Sequence, residues 1–144
     1  MGAKKTGTNR APALAVIGLG RAIEISVNET GLTSSQFRAL SLVEAGVTSG
    51  AVLARFLAVR PPTVTTVMNG LVDDGLVARA RAEDDRRRVD FELTAAGRAA
   101  LDTADEAASA ALDGLLANLD PADREAARAG LGLWREALAR RNES

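Results

Sequence analysis

Two adjacent segments near the middle of this 144-residue sequence carry closely spaced side chains that can bind an anion or a planar base. In residues 61–74, one face of a predicted helix is polar and carries Thr63, Thr66, Asn69 and Asp73, with Thr65 at its margin. Residues 79–88 contain five arginines, Arg79, Arg81, Arg86, Arg87 and Arg88. Guanidinium groups bind phosphate through a rigid fork of donors, and short polar side chains can reach the edges of bases. These residue types are typical of a surface that recognises phosphates and bases.

The composition disfavours an enzyme. The sequence has no histidine, cysteine or tyrosine, so the commonest general base and the commonest metal ligands are missing. Asp102, Asp105 and Glu106 have the spacing of a solvated helix face, with no histidine nearby. The sequence therefore predicts no catalytic residues, no metal site and no cofactor.

The charge is unevenly distributed along the chain, although the net charge is −1. Residues 46–88 hold seven arginines against five acidic residues, whereas residues 89–144 hold six basic and eleven acidic residues. No acidic residue occurs between Ala45 and Val72. A basic centre followed by an acidic C-terminal part suits a nucleic-acid reader with a separate assembly region.

Three helices are predicted before the polar segments. Apolar residues recur at helical spacing over residues 12–29, where the alternation of Ile23, Ile25 and Val27 leaves a strand as an alternative. Thr33 and Gln36 form a capping-box pattern for a helix that Gly46 ends. A short third helix follows, capped by Thr48 or Ser49.

The remaining elements follow from prolines, turn residues and apolar periodicity. A fourth helix begins at Pro61 or Pro62 and ends before Gly75. Residues 76–81 and 88–93 predict a β-hairpin with the charged tip of residues 83–87. Thr94 caps a long alanine-rich helix, and Asp120-Pro121 begins the last one. The predicted class is mainly α, or α+β if the hairpin is counted, with a helix-turn-helix followed by a wing.

Several short motifs, in this order and spacing, resemble the MarR family of regulators over residues 32–138. They are Leu32–Leu40, Leu53-Ala54, Pro62–Thr65, Leu71–Val77, Asp85-x-Arg87 and Leu93-Thr94-x-x-Gly97. The resemblance implies a winged helix-turn-helix core with dimerisation helices at both ends. It also implies that residues 62–74 form the recognition helix, and that Arg87 enters a minor groove while Asp85 holds it by a charged hydrogen bond.

The expected DNA contacts come from the polar helix and the hairpin. They are Arg60, Pro62, Thr63, Thr65, Thr66, Asn69, Arg79, Arg81, Arg86, Arg87 and Arg88. Three positions depart from the family pattern. Arg60 stands where a capping serine is frequent, Thr66 where arginine is frequent, and Gly50-Ala51 weaken the third helix.

The resemblance further implies a homodimer built from the first helix and the last two. The expected interface residues are Leu19, Ile23, Leu112, Leu115, Leu119, Leu131, Trp134 and Leu138. Residues 1–11 are expected to be a disordered arm, and residues 12–144 a single domain. Within it, residues 32–94 form the winged helix, and residues 12–30 and 95–141 form the dimerisation helices.

The expected function is a sequence-specific double-stranded DNA-binding regulator, most simply a ligand-responsive repressor acting on a pseudo-palindromic operator. The family resemblance suggests a small aromatic-acid effector, for which no pocket residues can be named. No apolar run approaches the roughly 20 residues that span a bilayer, so a cytoplasmic protein is expected. The alternatives are a winged-helix module that binds another protein and, least favoured, a small enzyme.

Overall fold

The computed structural model describes residues 10–143, which form six helices and one hairpin. The helices are α1 Arg10–Glu29, α2 Ser34–Glu44, α3 Gly50–Leu57, α4 Pro61–Asp73, α5 Ala95–Leu116 and α6 Pro121–Glu143. Strands β1 Val77–Arg81 and β2 Val89–Leu93 pair antiparallel between α4 and α5, with Val77 opposite Leu93. The predicted mainly α winged-helix class is confirmed.

The start of α2 follows the predicted capping box. The Thr33 hydroxyl accepts a hydrogen bond from the Gln36 amide at 3.1 Å, and Gln36 Oε1 accepts one from the Thr33 amide at 2.9 Å. Two amide donors that the helix leaves unpaired are thereby satisfied. Gly46 follows the helix with φ +91°, a left-handed conformation that favours glycine.

Three local predictions need correction. The helix α1 already begins at Arg10, so the expected arm of residues 1–11 is too long by two residues; residues 1–9 lie outside the described residues. The strand alternative around Ile25 is wrong, because the helix is continuous. Ser49 occupies the N-cap position of α3 but makes no side-chain capping bond. It forms instead an isolated β-bridge with Asp90.

The buried core lies within the winged helix. Leu40 of α2, Leu53 of α3, and Met68 and Leu71 of α4 are fully buried against one another. Val27 near the end of α1, together with Leu101 and Ala104 in the first half of α5, closes this cluster. Burying such aliphatic side chains stabilises the fold by about 2 kcal/mol each, so α4 is held firmly by its inner face.

A close backbone approach joins the hairpin to α5. The Thr94 hydroxyl donates to Gly75 O at 2.6 Å and accepts from the Gly97 amide at 3.0 Å. A Cβ added to Gly97 would lie 1.9 Å from Leu76 O. The Leu-Thr-x-x-Gly motif therefore has a physical cause, because threonine makes both bonds and only glycine leaves room for the Leu76 carbonyl.

The outer parts of the terminal helices are poorly buried. None of the described residues of α6 is buried, and Trp134 on this helix is 66% exposed. Leu14, Val16 and Ile17 in the first half of α1 are also exposed. These helices present apolar surface that one copy of the chain does not cover.

Among the described helices, α1 is long and apolar enough to cross a membrane by the criteria of length and composition. The sequence-based expectation rested on uninterrupted apolar runs and did not include this helix. The helix contains Arg21 and Glu24, which form an ion pair at 2.9 Å, and it packs along α5. The buried core helix of a soluble protein and a signal sequence both meet the same criteria.

Candidate nucleic-acid interface

The turn between α3 and α4 sets the direction of α4. Ala58 in this turn has φ 55° and ψ 43°, which is a left-handed conformation unusual for a residue with a side chain. Arg38 of α2 donates from its guanidinium to Phe56 O at 3.3 Å and to Leu57 O at 3.4 Å. It thereby satisfies carbonyls at the end of α3 that have no partner within the helix. The turn is braced from outside by α2.

Helix α4 exposes the face that the sequence predicted. Val64, Met68 and Leu71 are buried, whereas Pro62, Thr63, Thr65, Thr66 and Asn69 are exposed. Pro61 and Pro62 occupy the first turn, where proline needs no amide donor. Arg60 is the N-cap residue and makes no side-chain capping bond. Its guanidinium group has no hydrogen-bond partner in the described part of the chain.

The two central threonines of this face direct their hydroxyl protons back into the helix. Thr65 donates to Pro61 O at 3.2 Å, and Thr66 donates to Pro62 O at 3.1 Å. Each hydroxyl oxygen keeps its lone pairs, and each side chain also carries a methyl group. The outward chemistry of these positions is therefore that of acceptors and methyl groups.

A side-chain hydrogen bond joins α4 to the hairpin. Arg79 of β1 donates from Nη2 to Asn69 Oδ1 on α4. Both residues also line a shallow apolar recess of about 520 Å³ between the helix and the hairpin. The bond aligns the polar face of α4 with the hairpin, and it occupies the amide oxygen of Asn69.

The hairpin tip is ordered by Asp85. Its carboxylate accepts a hydrogen bond from the Arg87 amide at 2.9 Å, and its backbone carbonyl accepts one from the Arg88 amide at 3.0 Å. The family resemblance implied a charged bond between Asp85 and Arg87, and the donor in this structure is the backbone of Arg87. The guanidinium of Arg87 is exposed and has no partner among residues 10–143. The same is true of Arg81 and Arg86.

Arg88 differs from the other hairpin arginines. Its guanidinium donates to Asp90 at 3.0 Å and to Asp84 at 2.9 Å, which closes the base of the tip. The hydrogen bond from Arg88 lowers the pKa of Asp90 below its ordinary value of 3.8. The same bond raises the pKa of Arg88. Arg88 was predicted as a DNA contact, but its donors are already used within the hairpin.

Sequence reasoning missed two bracing contacts. Arg38 was quoted within a family motif without a role, and the Asn69–Arg79 bond joins residues predicted to act separately. The absence of a nearby acidic partner for Arg38 in α2 was a weak signal, since arginines often cap helix C-termini. Nothing in the spacing of Asn69 and Arg79 could have indicated their contact.

A second surface lies at the other end of the chain. Residues from α1, α5, α6 and the α5–α6 turn line an apolar groove of about 410 Å³, among them Leu19, Leu112, Leu115, Leu119, Leu131 and Trp134. Six of the eight expected interface residues therefore come together. Leu138 is exposed further along α6, whereas Ile23 is half-buried and packs against the core of its own chain.

A tri-helical core with a short turn before an exposed helix, followed by an antiparallel hairpin with free arginines, defines a winged helix-turn-helix protein. Comparison with protein families gives the particular family. The model of the MarR family matches residues 30–88. No curated protein sequence matches the chain significantly. The winged helix of this chain is therefore similar to the MarR family, which confirms the resemblance found in its motifs.

Solved structures extend the likeness to the terminal helices. The chain resembles wild-type MarR of Escherichia coli at 21% identity, with 85% of this chain and 93% of that chain covered and a TM-score of 0.75. A Staphylococcus aureus MepR variant bound to an oligodeoxyribonucleotide is 19% identical, with 88% and 94% covered and a TM-score of 0.63.

A MarR-family protein of Mycobacterium tuberculosis in complex with salicylic acid is 28% identical to this chain. The alignment covers 90% of this chain and 98% of that chain, with a TM-score of 0.70. The fold of the whole described chain is therefore that of MarR-family regulators.

Proposed function

We propose that this protein is a transcription regulator that binds double-stranded DNA sequence-specifically through α4 and the hairpin. One observation carries the proposal: the Asn69–Arg79 bond holds an exposed polar helix beside a hairpin whose Arg86 and Arg87 have no partners among the described residues. The major groove is about 12 Å wide and admits one helix. The arginine tip then reaches a neighbouring minor groove, where narrow A·T tracts attract guanidinium.

The eleven expected DNA contacts divide into two groups in this proposal. Ten of them reach DNA: Arg60, Pro62, Thr63, Thr65, Thr66, Asn69, Arg79, Arg81, Arg86 and Arg87. Arg88 braces the tip through Asp84 and Asp90, and Asp85 orders the backbone at Arg87. Phosphate contacts supply most of the affinity, and the α4 face supplies sequence choice.

The active form in this proposal is a homodimer. The apolar groove of α1, α5 and α6 is uncovered in one chain, and an exposed patch of this kind marks an interaction site. A twofold pair presents two recognition helices to half-sites about one helical turn apart, which fits a pseudo-palindromic operator. The dimerisation segments are residues 12–30 and 95–141, around a winged helix of residues 32–94.

Repression and control by a small aromatic acid complete the proposal. They are supported by the MarR-family relative in complex with salicylic acid. Such an effector must bind the two spacings of the recognition helices with different affinity. A regulator of this kind acts in the cytoplasm and has no enzymatic activity of its own.

The test is binding to the DNA upstream of the protein's own reading frame, measured by fluorescence anisotropy over a salt series. A DNA reader loses affinity steeply as salt rises and still binds random duplex weakly. Specific binding that falls with salt supports the proposal. Absence of binding to any duplex, together with a dimer in solution, would favour a module that binds another protein.

A further inference from the structure

The reading face of α4 has no positive charge. Between Pro61 and Asp73 there is neither lysine nor arginine, and the nearest basic residues, Arg60 and Arg79, lie at the N-cap and on the hairpin. Guanine is most often read by a bidentate arginine or lysine that donates to O6 and N7. The helix that would enter the major groove lacks both of these groups.

The polar atoms that remain on the face also disfavour guanine. The hydroxyl protons of Thr65 and Thr66 are donated to Pro61 O and Pro62 O, so both hydroxyls offer acceptor lone pairs. Arg79 occupies Asn69 Oδ1, which leaves the Asn69 amide NH₂ as a donor. Bidentate pairing of asparagine with adenine would have to share that oxygen with Arg79, which disfavours it. The face therefore offers hydrogen-bond acceptors and isolated donors, but no side chain on it presents two donors side by side.

Apolar groups make up the rest of the surface. Pro62 and Thr66 lie on the side of α4 opposite the buried Val64 and Met68, and both are exposed. Because the Thr66 hydroxyl bonds back to the helix, its rotamer is fixed and so is the direction of its methyl group. A fixed methyl beside a proline ring matches the C5-methyl group of thymine, which is the apolar feature of the major groove.

We infer that α4 reads A·T pairs through the thymine methyl group, with Thr66 and Pro62 as the specificity-determining residues. The Thr66 oxygen accepts from the N6 amino group of adenine, and the Asn69 amide donates to a purine N7. This inference rests on the proposed function. It deepens that proposal by naming the base pair at the centre of each half-site.

The DNA test removes the thymine methyl groups and changes no base pairing. The tightest duplex recovered from a random pool about three helical turns long is compared with a copy in which deoxyuridine replaces every thymine. We expect a loss of about fourfold in affinity per contacted methyl group, which compounds to about fifteenfold over two half-sites. The salt dependence should not change, because phosphate contacts are unaffected.

The protein test uses two near-isosteric variants. Thr66→Val keeps the methyl group and should retain the preference for thymine over uracil. Thr66→Ser keeps the hydroxyl and should reduce that preference at least threefold. Comparing the variants on the same two duplexes cancels any change in DNA shape caused by uracil. Circular dichroism confirms that both variants fold, since Thr66 is exposed.

The outcomes separate this inference from the proposed function. Tight, salt-sensitive binding with equal affinity for thymine and uracil duplexes would overturn methyl reading and leave DNA binding intact. A Thr66→Ser variant that still prefers thymine would overturn the role of Thr66. Failure of the wild-type protein to select any duplex would contradict the proposed function itself.

Discussion

The winged helix and the terminal helices of this chain bury their apolar residues to very different extents. Leu40, Leu53, Met68 and Leu71 are fully buried at the centre, whereas Trp134 and Leu133 on α6 are 66% and 67% exposed. Both regions are rich in aliphatic residues, so composition does not explain the difference. The winged helix buries its apolar side chains within one chain. The terminal helices leave apolar side chains exposed, and the proposed second copy would cover them.

The largest expected effect is on assembly. Leu112→Asp places a carboxylate in the apolar groove of α5, and a twofold interface buries it twice. We expect dimerisation to weaken by about 4 kcal/mol or more, with the winged helix still folded. Sedimentation velocity measures the dimer, and Ala110→Asp, on an exposed face of α5, is the matched control. An intact Leu112→Asp dimer would contradict the assignment of this groove.

Gly97→Ala should instead destabilise the winged helix. The added Cβ meets Leu76 O at 1.9 Å, so the start of α5 must move away from the hairpin. We expect a loss of about 3 kcal/mol in the free energy of unfolding, measured by urea denaturation. Gly114→Ala is the control, because a Cβ there has no atom within 4 Å. Equal stability of the two variants would show that the close approach is unimportant.

Arg87→Ala should affect DNA binding and leave both folding and assembly unchanged. Its guanidinium is exposed at the ordered tip, so its removal should cost about 1–3 kcal/mol of operator binding and flatten the salt slope by about one unit. Anisotropy titrations test this. Arg88→Ala should instead loosen the tip, because Asp84 and Asp90 lose their partner. An unchanged operator affinity for Arg87→Ala would remove the arginine from the interface.

Ala58→Gly should stabilise the winged helix slightly. Ala58 has φ 55°, and glycine adopts this left-handed conformation without steric cost. We expect a gain of about 0.5–1 kcal/mol by thermal or chemical denaturation. Ala58→Val should destabilise the same site, since a β-branched residue is a poorer fit to a positive φ. A destabilised glycine variant would indicate that the alanine methyl group contributes packing.

The smallest expected effect is a local response of the hairpin to acid. The pKa of Asp90 is lowered by the hydrogen bond from Arg88, so this bond contributes stability above the ordinary pKa of 3.8 and loses it as pH falls through the lower folded value. NMR signals of the tip should therefore shift below about pH 4 while those of α4 hold. In Asp90→Asn the part of this shift that reports the Arg88–Asp90 bond should be absent.

The sequence predicted the elements of the winged helix well because their signals are local. The capping box at Thr33 and Gln36, the paired prolines before α4 and the charged hairpin tip each act within a few residues. The exposed face of α4 followed from helical periodicity. The lack of lysine and arginine on this face was also predictable, since it depends on residue types alone.

Contacts between distant elements could not be predicted in this way. Arg38 reaches carbonyls 18 and 19 residues away, and Asn69 meets Arg79 across the corner between α4 and β1. The pairing of Arg88 with Asp84 and Asp90 competes with the DNA contact expected for it, and spacing alone does not decide between them. Ile23, which the family resemblance placed at the outer interface, packs against the core of its own chain.

The joint at Thr94 has a mechanical consequence. The Thr94 hydroxyl forms hydrogen bonds to both Gly75 and Gly97, and the backbone of Leu76 packs closely against the start of α5. The same contacts connect α5 to the hairpin and, through Arg79 and Asn69, to α4. In the proposed pair of chains, α5 would behave as a rigid connection. A small change of angle between the two copies would then change the distance between their two α4 helices.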